Sequence, residues 1–165
     1  MGEDRVAQAL RVARELLDAE GEAALSMRRL AEGMGIRAPS LYKHVPDKAT
    51  LEVALIADGL AELGATLAAA RQSLPALARA YRAWAIEHRH LYALMTERPL
   101  PRERLPEHLE REASAPLLAA AGGEHRARAL WAAAHGLVAL EAAQRFPADA
   151  DLDAAWAALV NAFER

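Results

Sequence analysis

The 165-residue chain contains no cysteine, which excludes disulfide frameworks, thiolate-held zinc and cysteine nucleophiles and makes the fold independent of redox compartment. Aromatic residues make up only 5% and β-branched residues are few, so strands lack the residues they favour. No alternating run bounded by turns is long enough to form one. No stretch is apolar over the roughly 18 residues that a membrane-spanning helix needs. The opening Met1-Gly2-Glu3-Asp4-Arg5 is charged and runs straight into an amphipathic pattern, which reads as an unprocessed, cytoplasmic start rather than a signal sequence. Lysine is almost missing as well: the chain has two, Lys43 and Lys48, and both fall in one short segment.

What is present is a chain 53% hydrophobic and rich in alanine, leucine, arginine and glutamate. That is enough apolar material to fold by burial alone, and the expected fold class is all-α with about nine helices. Val6, Ala9/Leu10, Ala13 and Leu16/Leu17 carry helical spacing from Asp4 to about Glu20, where Gly21 stops the helix. Ser26 is a good N-cap for a short helix over Met27 to Met34 with Leu30, Ala31 and Met34 inward. Gly35 makes the turn, and Pro39 tolerates the first position of a third helix ending at His44 or Val45. Asp47 caps a long helix from Lys48 to about Arg71, apolar through Leu51, Leu55, Gly59/Leu60 and Leu63. Further helices are predicted from Pro75 to about His88, from Leu91 to Thr96, and from Pro106 to the Gly122-Gly123 break, with Pro116 as a kink. Two more follow, about Glu124 to Arg145 and Asp151 to Phe163, on either side of a Pro147 turn. The expected division is a head over 1–47 and a second domain over 48–165.

The segment from Ser26 to Lys48 departs most from the average. The net charge of the chain is −3, yet here Arg28, Arg29, Arg37, Lys43 and Lys48 face only Glu32 and Asp47, a local balance of +3. Apolar anchors at Leu30, Ala31, Ile36, Leu41 and Val45 hold two short helices crossed at a glycine turn and leave Arg37 to Ser40 and Tyr42 to His44 to face outward. Helical hairpins of this kind also occur as plain packing units. Packing alone gives no reason for an exposed tyrosine between basic residues, whereas the major groove of DNA and its flanking phosphates do.

The segment Leu41-Tyr42-Lys43-His44-Val45-Pro46-Asp47-Lys48 resembles the hallmark of the TetR family of DNA-binding regulators, and the likeness extends over about Arg5 to Leu60. The resemblance implies that Arg28 meets a base or nearby phosphate, that Arg37, Ala38, Pro39 and Ser40 meet base edges and methyl groups, and that Tyr42 and Lys48 hold phosphates. Lys43 and His44 then lie at the outer edge of the recognition helix. Met27 departs from the small polar or β-branched residue common in the family and is given no role. Farther on, Trp131-Ala-Ala-Ala-His135-Gly136 and His88-Arg-His-Leu-Tyr92-Ala-Leu-Met95 resemble a Trp-His-Gly subgroup of the family.

That likeness implies a homodimer on palindromic double-stranded operator DNA, acting as a repressor and released by a small, largely apolar effector. Two heads about 34–36 Å apart would reach successive major grooves. Candidate effector-lining residues are Trp84, His88, Tyr92, Met95, Trp131 and His135, although for each taken singly core packing is the commoner role. Candidate dimer-seam residues are Leu137 on the penultimate helix and Leu152, Trp156, Leu159, Val160 and Phe163 on the last, since two such stripes from each subunit would make a four-helix seam.

Other readings remain open: a helical small-molecule-binding or catalytic protein with a vestigial head, or an activator on the same scaffold. There is no phosphate-binding glycine loop, nucleophile elbow or paired-carboxylate motif, so no enzymatic activity is expected. His88 and His90 are two apart and point to different sides of a helix. No metal or other cofactor is therefore expected.

Overall fold

A computed structural model describes residues 2–164, with side chains from Arg5 onward; the reading of the charged start at Met1 to Asp4 lies outside the described residues. Among the described residues there are nine α-helices and two short 3-10 turns, and no strand. The helices are α1 (Gly2–Glu20), α2 (Met27–Gly33), α3 (Ala38–Leu41), α4 (Lys48–Ala69), α5 (Leu74–Glu87), α6 (Arg89–Thr96), α7 (Glu107–Ala121), α8 (Glu124–Ala142) and α9 (Leu152–Phe163). None is long and apolar enough to cross a membrane.

The helices gather into two compact units. One holds the residues up to Leu60 together with His88–Glu107; the other holds Ala61–Glu87 and His108 onward. In the first, α1 buries Ala9, Val12, Ala13 and Leu17, one stripe at helical spacing. Val6, expected in that stripe, is exposed; the buried line runs through Val12 instead. α6 lies along α1. There His90 Nδ1 sits 2.8 Å from the Leu17 carbonyl, which can only accept, so this nitrogen carries the proton. A Cβ on Gly59 would stand 2.5 Å from Met95 Sδ and 3.0 Å from Leu91. The contact of α4 with α6 therefore depends on a missing side chain.

In the second unit α5, α8 and α9 share a core of Leu77, Tyr81, Trp84, Leu130, Val138, Trp156 and Val160, all buried. The α8–α9 hairpin is closed at its open end by Arg126, near the start of α8, whose Nη2 donates to the Phe163 carbonyl at 2.7 Å. α8 ends at Ala142, three residues before the expected Arg145. Gln144 takes φ 52°, and the Arg145 amide donates back to the Leu140 carbonyl at 2.9 Å. This is a Schellman closure with glutamine in the place usually held by glycine.

Candidate nucleic-acid interface

The helical pair α2–α3 is built from its caps inward. Ser26 takes an extended backbone and its Oγ accepts from the Arg29 amide at 3.2 Å, satisfying one of the orphan donors at the start of α2. Leu30, Ala31 and Met34 turn inward and are buried. Gly35 follows with φ 65°, a left-handed conformation that costs glycine nothing. The Ile36 amide then reaches back to the Ala31 carbonyl at 3.0 Å. Leu41 is fully buried and Val45 nearly so, while Ile36 is half-buried.

α3 is shorter than expected. It covers only Ala38–Leu41 instead of running to His44 or Val45, and Pro39, expected at its first position, is second, after Ala38. Beyond it the chain stays hydrogen-bonded in turns, the Val45 amide donating to the Leu41 carbonyl at 2.9 Å. Pro46 places its restriction on Val45 and stops any regular continuation. The segment is thus a compact corner rather than a full helix.

The residues between the anchors face outward. Arg37, Pro39, Ser40, Tyr42 and Lys43 are exposed, Ala38 and His44 half-exposed. Tyr42 leaves half of its surface in solvent although it adjoins the fully buried Leu41. A tyrosine held outward beside a cation suits donation of its hydroxyl proton to a phosphodiester oxygen. Arg28 is also exposed and makes only a long 3.4 Å pair with Glu32, one turn on. Such a pair is weak and easily exchanged for a phosphate.

Behind this surface sit tighter ion pairs. Arg29 grips Glu20 through both Nη atoms at 2.7 and 2.6 Å, tying α2 to the end of α1. The guanidinium holds the Glu20 carboxyl below its ordinary pKa, chiefly by those hydrogen bonds. Asp47 caps α4 by accepting from the Thr50 amide at 2.6 Å. That bond and a second from the Thr50 side chain hold its carboxyl below the usual range, with Arg104 adding a smaller pull. Lys48, the first residue of α4, places Nζ 3.2 Å from Glu52 and 3.8 Å from Glu22. Arg98, from the segment after α6, bonds the same Glu22 and lies 3.9 Å from Glu52. Arg104 donates to Thr50 Oγ1 at 3.0 Å. Neither arginine is a residue that sequence reasoning attached to the head, because both stand some fifty residues beyond it.

The six expected effector-lining residues are distributed over both units. His88, Tyr92 and Met95 belong to the first unit, where His88 Nδ1 lies 3.2 Å from Arg14 and Met95 packs at Gly59. Trp84, Trp131 and His135 belong to the second. Trp84 is buried, whereas Trp131 is half in solvent with its ring 6.1 Å from that of His135. The second unit has a cavity of about 780 Å³ lined by α5, α8 and α9, with Ala78, Arg82, Ile86, Glu141, Trp156 and Val160 among its walls. Two of these walls were expected at a subunit seam. Trp156 and Val160 are buried inside their own unit, because Tyr81 and Arg82 of α5 cover the Trp156 ring at 6.5 and 5.8 Å. Leu137, Leu152, Leu159 and Phe163 remain half-exposed.

Comparison with known proteins agrees with this arrangement at both ends of the chain. Residues 9–55 match the family described as "Bacterial regulatory proteins, tetR family", and residues 74–163 match "Tetracyclin repressor-like, C-terminal domain". The HTH-type transcriptional regulator Mb1846 of Mycobacterium bovis is 31% identical over 102 residues, 56% of this chain and 43% of that protein. A further HTH-type transcriptional regulator, Rv0681 of Mycobacterium tuberculosis, is 33% identical over 141 residues, 76% of this chain and 64% of that protein. The chain thus spans less than half of the first relative and under two thirds of the second. Among solved structures, the regulatory protein SCO4313 superposes with a TM-score of 0.79 at 26% identity, over 98% of this chain and 96% of that one.

Proposed function

Since the chain belongs to the TetR family of bacterial transcriptional regulators, we propose that it is a repressor that holds a palindromic operator as a homodimer and releases it when a small molecule binds. The observation that carries this reading is the outward surface from Arg37 to His44, mounted on the buried Leu30, Leu41 and Val45. Arg37, Ala38, Pro39 and Ser40 meet base edges and thymine methyl groups in the major groove. Tyr42 and Lys48 hold phosphates, Arg28 a phosphate or base, and Lys43 and His44 the outer rim. Residues 1–47 serve DNA, and residues 48–165 serve the effector and the second subunit, in the cytoplasm where the operator is found.

Dimerisation is supported by the pattern of α8. Ala127, Leu130, Ala134 and Val138 face inward, yet Trp131, Leu137 and Leu140 on its other sides are wholly or partly in solvent. From Ala129 to Leu140 the helix is apolar on more than its inward side, and an outward apolar side calls for a cover. A seam through Leu137, Leu152, Leu159 and Phe163, with Trp156 and Val160 left to the subunit interior, would supply one. The effector is a small molecule with an apolar body, since a cavity of about 780 Å³ walled by Ala78, Ala83, Ile86, Trp156 and Val160, with Arg82, Glu141 and Asp153 as its polar groups, falls in the ordinary ligand range. α4 belongs to both compact units and carries the change that ends operator binding.

The test is fluorescence anisotropy of the protein on DNA fragments from beside its own gene, at several salt concentrations. We expect a sequence-specific complex whose log affinity falls linearly with log salt, and loss of that complex in the Tyr42→Ala, Lys48→Ala double variant. No specific complex, or a double variant with undiminished affinity, would sink the reading. A reporter under the recovered operator then reads the direction of control, repression predicting higher output when the gene is deleted.

A further inference from the structure

The lysine assigned to the operator backbone is one of a ring of four charged groups. Lys48 Nζ is 3.2 Å from Glu52 and 3.8 Å from Glu22; Arg98 bonds Glu22 and lies 3.9 Å from Glu52. All four belong to the same compact unit. Two carboxylates therefore share two cations, one from the start of α4 and one from the segment after α6. Glu52 is the least exposed of the four, its side chain 17% accessible, so it stays in place whichever cation it keeps.

The electrostatic consequence follows from counting charges. For Lys48 to engage a phosphate it must leave Glu52 and Glu22, and those carboxylates then stand within a few ångströms of the incoming anion. With Arg98 in place, the ring without Lys48 carries two negative charges and one positive. Without Arg98 it carries two negative charges uncompensated. Removing Arg98 thus acts twice, since Lys48 is held harder by its own acids and the phosphate meets stronger repulsion.

We propose that Arg98 is a positioning residue for operator binding: it occupies Glu22 and Glu52 so that Lys48 is free to hold a phosphate, without itself touching DNA. The inference rests on the operator-binding reading above and adds to it a residue some fifty positions from the helix-turn-helix. It also gives the chain after α6 a direct influence on the strength of the DNA contact.

The experiment is a double-mutant cycle on the full chain with the recovered operator fragment. Arg98→Ala should weaken operator binding about twofold to fivefold, in keeping with the range for partly exposed charge pairs. In the Lys48→Ala background the same change should cost clearly less, because there is no lysine left to release and only the repulsion by Glu22 and Glu52 remains. Adding Glu22→Gln and Glu52→Gln to Arg98→Ala should restore affinity to the wild-type level or above it. Arg98 is more than half exposed, so the variants should melt within a few degrees of the parent, and a thermal melt checks that they are folded. Equal losses from Arg98→Ala with and without Lys48 would overturn the proposal, as would failure of the glutamine pair to rescue. Failure of the operator-binding reading looks different: the parent protein itself would then form no specific, salt-dependent complex.

Discussion

Arg82 of α5 grips Glu141 of α8 edge-on, with Nε 2.9 Å from one carboxylate oxygen and Nη2 2.7 Å from the other. Its remaining nitrogen, Nη1, reaches Asp153 of α9 at 2.5 Å, and the guanidinium lies 5.8 Å from the Trp156 ring. One side chain thereby ties the three helices that line the cavity of the second unit. The hydrogen bonds to Glu141, then those to Asp153, raise the arginine pKa further above its ordinary value, so the charge is permanent.

The first prediction follows from that geometry. Arg82→Met keeps most of the stem but strands the Glu141 carboxylate, whose side chain is only 18% exposed. Leaving such a group without its partner costs about 1–3 kcal/mol. Arg82→Lys should recover little of this, since an ammonium cannot present two parallel donors to one carboxylate. Urea unfolding midpoints for the three proteins decide it; a methionine variant as stable as the parent refutes the clamp.

Leu41 and Tyr42 are neighbours with opposite roles, and a second prediction separates them. Leu41 is fully buried, so Leu41→Ala should lower stability by about 3 kcal/mol through lost burial and a residual cavity. Tyr42→Ala, at a half-exposed ring, should leave the melting temperature close to that of the parent while weakening DNA binding. If both variants lost stability equally, Tyr42 would be a packing residue and its assignment to phosphate would fail.

These neighbours also illustrate what the sequence made legible. Helix starts and the turn between α2 and α3 followed from strong local punctuation, Ser26 and Asp47 as caps and Gly35 as a break, each acting over a few residues, whereas the early end of α3 at Leu41 did not. Alternation of buried and outward positions across the helical pair was readable for the same reason. The association of α6 with α1 was not, because it depends on a histidine ring reaching a carbonyl 73 positions away. The end of α8 escaped as well, since Gln144 stands where a glycine would have signalled it. Spacing placed Trp84, Tyr92 and Trp131 on helices without saying which of them share a cavity. Periodicity says which face is apolar and leaves open what it packs against, as the burial of Trp156 and Val160 illustrates.

A third prediction concerns pH. The Asp47 carboxyl is held below its ordinary pKa by the Thr50 amide. A folded-state value lower than the unfolded one means that its contribution to stability is complete above the unfolded pKa, about 3.9. It is then lost as pH falls through the lowered folded value. Asn can cap α4 but cannot ionise. The difference in unfolding midpoint between the parent and Asp47→Asn should therefore be constant from pH 7 to about 5 and shrink steadily in more acidic buffer. A difference that grows on acidification would have the wrong sign and exclude the cap as its source.

The last prediction tests the proposed subunit seam. Leu140 is among the most exposed large apolar residues of the second unit, and a side chain added at Gly136, one turn earlier, would meet nothing within 4 Å in the isolated subunit. A helix-interior glycine costs about 1 kcal/mol relative to alanine, and a close approach by a second helix is a physical reason to keep one there. In a two-fold interface every substitution occurs twice. Leu140→Glu should bury two charges, and Gly136→Leu should push the two copies of α8 apart. Each should raise the dimer dissociation constant more than about tenfold, a loss of about 1.4 kcal/mol or more, while leaving the folded subunit intact, because neither position is packed within it. Sedimentation equilibrium across a range of protein concentrations measures the change. If both variants dimerise as tightly as the parent, this side of α8 lies outside the seam, and the half-exposed Leu152, Leu159 and Phe163 of α9 must form it without α8.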